Sequence, residues 1–212
     1  MKLKRLTTLL VIVYAFLAVM YGCVTTGDTQ PVATVKFSDG GQVRIRLYPE
    51  YAPNTVNNFI ALANSGFYDG SPVHRIVEYF VIQMGRPGTD QEELDYTLKG
   101  EFPSNGYAKN TLSHELGVVS MARKVGNPGS EADYYDSATS QFFICVDNEQ
   151  KTLDGDYAAF GRVTEADDIT QILKISRMDV DADSVPRDEI YITELRVNTY
   201  GKVFPEPEKI RE

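Results

Sequence analysis

Three side chains in the stretch 73–83 are of types that a strand built only for packing would not choose: Arg75, Phe80 and Gln83. They fall in two short β-prone runs, 73–77 and 80–83, whose other members are mostly the branched residues that suit a half-buried pleated surface. A third run, 140–145, sets Gln141 beside Phe142 and Phe143. A guanidinium carries a permanent charge and a rigid fork of donors, a primary amide both donates and accepts, and aromatic rings make an apolar wall. Such a set can hold and polarise a neutral polar group without a nucleophile or a metal. Taken singly, each has a plainer reading: an isolated arginine is more often at the surface or ion-paired, and Phe80 and Phe143 are more often core.

Alternation within the first run puts Val73, Arg75 and Val77 on one face and His74 and Ile76 on the other, so His74 is expected to point away from Arg75. Phe80 and Gln83, three residues apart, cannot share a face of an ideal strand. Either a bulge intervenes or Phe80 precedes the strand proper. His74 and His114 are the only histidines, stand in no metal-ligand spacing and read as satisfied structural residues. The chain holds no Gly-x-Ser-x-Gly elbow and no Gly-rich phosphate loop, which leaves hydrolase and nucleotide-binding readings without support.

The elements that must position these groups are short strands with little helix. Residues 34–37 and 42–47 alternate apolar and polar around Asp39-Gly40-Gly41, the pattern of a hairpin. Pro53-Asn54-Thr55 opens a helix with Val56, Phe59, Ile60 and Ala63 at i, i+3, i+4 and i+7, ending near Ser65-Gly66. Periodicity is then lost from 85 to 110, and a long irregular segment of this kind usually carries function. Strands are expected at 117–122, 140–146, 157–163 and 190–197, with a second helix at 168–175. Eight strands with two helices predict a mainly β fold, a closed eight-stranded antiparallel barrel capped by the helices.

The signatures at 73–83 and 140–145 are accompanied by Gly-Val-Val-Ser-Met-Ala at 117–122, Leu153-Asp154-Gly155 and Phe160-Gly161. In order and nearly in spacing these resemble the motifs of the cyclophilins, the peptidyl-prolyl cis/trans isomerases, and the likeness runs from about residue 33 to 197. The resemblance implies a cyclophilin-like fold and an enzyme, with no cofactor, that speeds rotation about X-Pro bonds. That rotation is slow because of a barrier of about 18–20 kcal/mol. In the twisted state the nitrogen loses conjugation and accepts a hydrogen bond better, so a fixed guanidinium stabilises it more than the planar amide.

By the same resemblance Arg75, Phe80 and Gln83 are the catalytic residues, and Val81, Phe143, Leu153 and Tyr157 line or border the proline pocket. Ala122 and Arg123 would offer backbone to the peptide, with Gln141 assisting. Two positions depart from many family members: Thr152 replaces a tryptophan and Tyr157 a histidine. The acidic stretch Asp90-Gln91-Glu92-Glu93-Leu94-Asp95 stands where the family often has small residues bordering the subsite before the proline. Glu92 and Glu93 are expected on that rim, favouring a basic side chain there, unless the stretch is only a solvated acidic turn. The alternative function is a non-catalytic module or holdase that grips proline-containing segments.

At the N-terminus Lys2, Lys4 and Arg5 precede thirteen uninterrupted apolar residues, 9–21, and then Gly22-Cys23. A spanning helix needs roughly 20 apolar residues, so a cleaved signal fits better than a permanent anchor. Cys23 resembles a bacterial lipoprotein processing site, although Met20 and Tyr21 depart from its usual residues; an ordinary secretory signal with an incidental cysteine is the other reading. The organisation expected is a signal at 1–22, a polar tether at 23–31, an isomerase domain at 32–200 and a tail at 201–212, disordered or draped on the surface. Loss of the three basic residues at 1–22 leaves 18 Lys and Arg against 30 Asp and Glu, a formal charge of −12, which argues against nucleic acid. The chain is therefore expected to be an exported monomer, held to a membrane through a lipid on Cys23 and acting on proline-containing polypeptide clients. Cys145, inside a strand, reads as a small core hydrophobe.

Overall fold

The computed structural model describes residues 29–88, 91–127 and 129–211, so the apolar run at 9–21 and Cys23 lie outside the described residues. Eight strands follow in order: β1 (Val32–Phe37), β2 (Gln42–Leu47), β3 (Arg75–Val77), β4 (Val81–Met84), β5 (Val118–Met121), β6 (Phe142–Cys145), β7 (Ala159–Val163) and β8 (Ile192–Asn198). Two helices, α1 (Pro53–Ser65) and α2 (Ala166–Ser176), lie between β2 and β3 and between β7 and β8. The strands form one antiparallel sheet in the order β3-β4-β6-β5-β7-β2-β1-β8.

The sheet curls but its ladder stays open between β3 and β8, which corrects the expected closed barrel to an open half-barrel. The reason lies at the free edge of β3. That strand is only three residues long, and the Ile76 N–H donates to the Ser184 carbonyl at 2.8 Å, so the loop between α2 and β8 occupies the edge that β8 would need. The two edge regions meet only ahead of β3, where Pro72 bridges Tyr191 and Val73 N–H bonds the Ile190 carbonyl. Proline has no N–H with which to extend the pairing.

Inside the curl, α1 buries Val56, Phe59, Ile60 and Ala63 as its spacing predicts, and Gly66 ends it in a left-handed conformation at φ 83°. Phe59 meets Tyr68, Phe142 and Phe160 with ring centroids 5.0–5.4 Å apart, an aromatic cluster at the centre of the core. The start of α1 has no side-chain cap of its own. Instead Glu101, buried in the irregular segment, accepts from Asn54 N–H at 2.9 Å and from the Thr55 N–H and hydroxyl at 2.7 Å each. That carboxylate fastens the irregular segment to the positive end of the helix.

The tail is draped. Thr97 and Ile210 exchange backbone hydrogen bonds, the Asn54 side chain bonds both backbone groups of Glu208, and the Lys209 ammonium sits 4.4 Å from the centroid of the Tyr96 ring.

Candidate active site

Alternation along β4 and β6 divides their side chains between two apolar clusters. Ile82, Met84, Phe142 and Ile144 join the main core. Val81, Phe143, Cys145 and Leu153 form a second, smaller cluster, against which Phe80, Ala122 and Tyr157 pack. Strand geometry accounts for the split, since successive side chains point to opposite faces of a sheet. Every residue expected to line or border the proline pocket is in this second cluster. Cys145 is there too, buried under it with its thiol pushed up to about 12 by burial, so it is an inert floor group.

Register aligns the polar groups. Arg75 pairs with Gln83, Gln83 with Phe143, and Phe143 with Ser120, so one row crosses four strands. The Arg75 Nη1 donates to Gln83 Oε1 at 3.5 Å, and Gln83 Nε2 donates to Gln141 Oε1 at 3.1 Å. Arg75 is partly exposed and forms no ion pair among the described residues. Its guanidinium is therefore aimed but not consumed.

Phe80 precedes β4, which settles the spacing problem without a bulge. Tyr79 takes a positive φ of 58° and turns the chain so that Phe80 enters on the side of Val81 and Gln83. The Phe80 N–H bonds the Val77 carbonyl at 3.1 Å, and its own carbonyl accepts from Val146 N–H at 3.0 Å.

Behind the pocket, the His114 ring stacks on Phe143 with centroids 6.1 Å apart. Its Nδ1 lies 2.8 Å from Asp154 Oδ1 and its Nε2 lies 3.1 Å from the Ser120 hydroxyl. Burial lowers the His114 pKa, and with both nitrogens partnered it is the satisfied structural residue expected. The Ser-His-Asp order invites comparison with a nucleophilic triad, but Ser120 and His114 are both buried and offer no substrate access. His74 departs from expectation. Its Nδ1 is buried with no partner among the described residues, and burial followed by the Arg86 charge lowers its pKa to about 4.

The Ala122 N–H is already bonded to the Gln141 carbonyl at 2.9 Å, so this donor is taken within the protein. The Arg123 guanidinium lies 4.7 Å from the Tyr157 ring centroid, 5.0 Å from Tyr135 and 5.7 Å from Phe102, while Nε donates to the Asp156 carbonyl. It ties Tyr135 to Tyr157, which meets Phe143 edge-on at 5.6 Å. Glu92 and Glu93 are not drawn into this cluster. They line an open hollow with Ser65, Gly66 and Phe67 at the end of α1.

A permanent cation beside an apolar cluster, with a chain of amides next to it, fits a reaction in which no bond is broken. The profile of the family described as cyclophilin-type peptidyl-prolyl cis-trans isomerase matches residues 32–197. Among curated proteins, peptidyl-prolyl cis-trans isomerase B of Bacillus subtilis is 42% identical over 127 residues, covering 59% of this chain and 78% of the relative. A peptidyl-prolyl cis-trans isomerase of Helicobacter pylori is 35% identical over 149 residues, covering 70% of this chain and 82% of the relative. The crystal structure of a cyclophilin-type isomerase of Cryptosporidium parvum superposes with a TM-score of 0.64 at 26% identity, covering 80% of this chain and 97% of that one. The chain belongs to the cyclophilin family of peptidyl-prolyl cis-trans isomerases.

Proposed function

We propose that this isomerase works outside the cytoplasm, tethered to a membrane through Cys23, and assists the folding of exported or envelope proteins. The carrying observation is the order Lys2, Lys4, Arg5, the apolar run 9–21 and Cys23 ahead of a polar stretch. The excess of 30 acidic over 18 basic residues beyond position 22 supports a domain that stays soluble beside the surface that holds it. Replacing Cys23 with Ser tests the reading by cell fractionation. The expected result is transfer from the membrane to the soluble or secreted fraction; unchanged membrane association would overturn the lipid tether.

Within the site, Arg75 is the donor that favours the twisted amide, Gln83 orients it, and the proline ring enters the cleft of Phe80, Val81, Phe143 and Leu153. Gln141, Ala122 and Arg123 border the path of the flanking backbone. The support for this reading is the row Arg75, Gln83, Phe143 beside a cluster separate from the main core. Exchange spectroscopy on an X-Pro peptide separates the enzyme from a holdase of the same fold, since a pure binder leaves the exchange rate at its uncatalysed value.

A further inference from the structure

Two arginines stand beside the second apolar cluster, and they are used in opposite ways. Arg75 keeps its donors available, with one long contact to Gln83 at 3.5 Å. Arg123 has spent its own inside the protein: Nε donates to the Asp156 carbonyl at 2.9 Å and Nη1 to the Lys124 carbonyl at 3.0 Å. The guanidinium carbon also lies over two rings, 4.7 Å from the centroid of Tyr157 and 5.0 Å from that of Tyr135. A cation engaged in this way has little left to offer a peptide, so its influence on the site passes through the rings it holds.

Those rings belong to different parts of the interior. Tyr135 packs against the main core and meets Phe102 edge-on at 5.2 Å, whereas Tyr157 packs against the second cluster and meets Phe143 edge-on at 5.6 Å. Tyr157 is only half-buried, in the short connection between the Gly155 turn and β7. A side chain so placed has more than one rotamer open to it. The edge contact with Phe143 is one restraint, and the Arg123 guanidinium is the second. The guanidinium is a firm one, because it springs from the end of β5, where the preceding Ala122 N–H is bonded to the Gln141 carbonyl at 2.9 Å.

We propose that Arg123 is a positioning residue that acts through Tyr157, holding that ring against Phe143 so that the second cluster keeps the shape that takes the proline ring. This inference rests on the site assignment proposed above. The cluster grips the ring of proline in the planar and the twisted amide alike, so loosening Tyr157 weakens both states together, which raises KM and leaves kcat in place.

Exchange spectroscopy on one X-Pro peptide over a range of concentrations tests this in the parent, in Arg123→Ala, in Tyr157→Ala, in the double variant and in Tyr135→Ala. Arg123→Ala is expected to raise KM about five-fold, the scale of one cation–π contact, with kcat unchanged. Tyr157→Ala should raise KM at least as much, and the double variant should match Tyr157→Ala alone, because the guanidinium then has no ring to hold at the cluster. Tyr135→Ala removes the ring on the main-core side and should lower the Tm while KM stays near the parental value. A loss of folded protein would lower kcat at constant KM. That pattern in Arg123→Ala, a parental KM in Arg123→Ala, an equal rise in Tyr135→Ala or effects that multiply in the double variant would each overturn the proposal. Absence of exchange catalysis in the parent would instead overturn the site assignment beneath it.

Discussion

Arg75 and Gln83 face one another as a register pair across β3 and β4, with the guanidinium Nη1 3.5 Å from the amide oxygen. The contact is long for a hydrogen bond, and Gln83 is itself held by Gln141 at 3.1 Å. The amide therefore limits where the guanidinium can go while leaving its donors available. Arg75 is half-exposed at the edge of the sheet and outside both apolar clusters. Arg75→Ala should remove a charge-assisted bond made in the twisted state, on the order of 3 kcal/mol or about two decades in kcat/KM, with the unfolding midpoint unchanged. Near-parental turnover in a folded variant would refute the role given to Arg75. Gln83→Ala should cost less, because it loosens the guanidinium without removing it.

Glu101 makes a different kind of prediction, about stability. Its carboxylate satisfies two N–H groups and one hydroxyl at the start of α1, where the N–H groups of the first turn lack intrahelical partners and Pro53 has none. Glu101→Ala leaves those groups buried and unpaired at the positive end of the helix. A loss of about 3 kcal/mol is expected in a denaturant titration. Glu101→Gln keeps an acceptor but not the charge and should lose roughly half as much. Equal stability of the alanine variant would show that another group can take over the cap.

The contrast between these two residues shows what could be read from the chain. The helices and most strands were legible because their signals are local: the apolar spacing of α1, the alternation of β1 and β2 about Gly40, the branched residues of β5 and β6. Glu101 was not, because its partners Asn54 and Thr55 are more than forty positions away and only the folded chain brings them together. Closure of the barrel failed for a similar reason, since it depends on Ser184 covering the edge of β3. At the candidate site, the motifs named residues that the fold gathers into one small cluster, and alternation from Phe143 could also have placed Cys145 among them. The turn at Tyr79 gave no warning, because no glycine marks it.

His74 gives a pH dependence whose sign follows from its environment. Burial first, and then the charge of Arg86, lower its pKa from 6.5 to about 4, so the folded protein keeps it neutral where the unfolded chain already protonates it. Its contribution to stability is complete above pH 6.5 and is lost progressively as the pH falls toward 4. His114, lowered mainly by burial, acts in the same direction from the same starting point. Asp39, Asp69 and Asp154, all lowered from 3.8, act only below that value, which keeps the windows apart. Denaturation midpoints should therefore be flat between about pH 7 and 8, below the range in which the buried Cys145 thiol begins to matter, and decline between pH 6.5 and 4, and His74→Gln should flatten part of the decline. A parental slope in that variant would show that His74 does not titrate in this window.

The acidic stretch tests how far charge outside the cleft can influence the choice of peptide. Glu92 and Glu93 lie along the hollow at the end of α1 with Ser65, Gly66 and Phe67, and Asp95 shares it. They can act on a peptide in the cleft only through the field they set, and Arg86, two residues after β4, opposes that field. Exposed charges at such range are screened within about 8–10 Å at ordinary salt and contribute no more than about 1 kcal/mol even when paired. A Lys-x-Pro peptide should therefore exceed Glu-x-Pro in kcat/KM by a few-fold at most at low salt, and the two should converge as salt rises. In Glu92→Gln/Glu93→Gln the difference should shrink at low salt while the high-salt values stay where they were. A preference that survives high salt would mean direct contact with a basic side chain, and equal values throughout would leave the stretch a solvating turn.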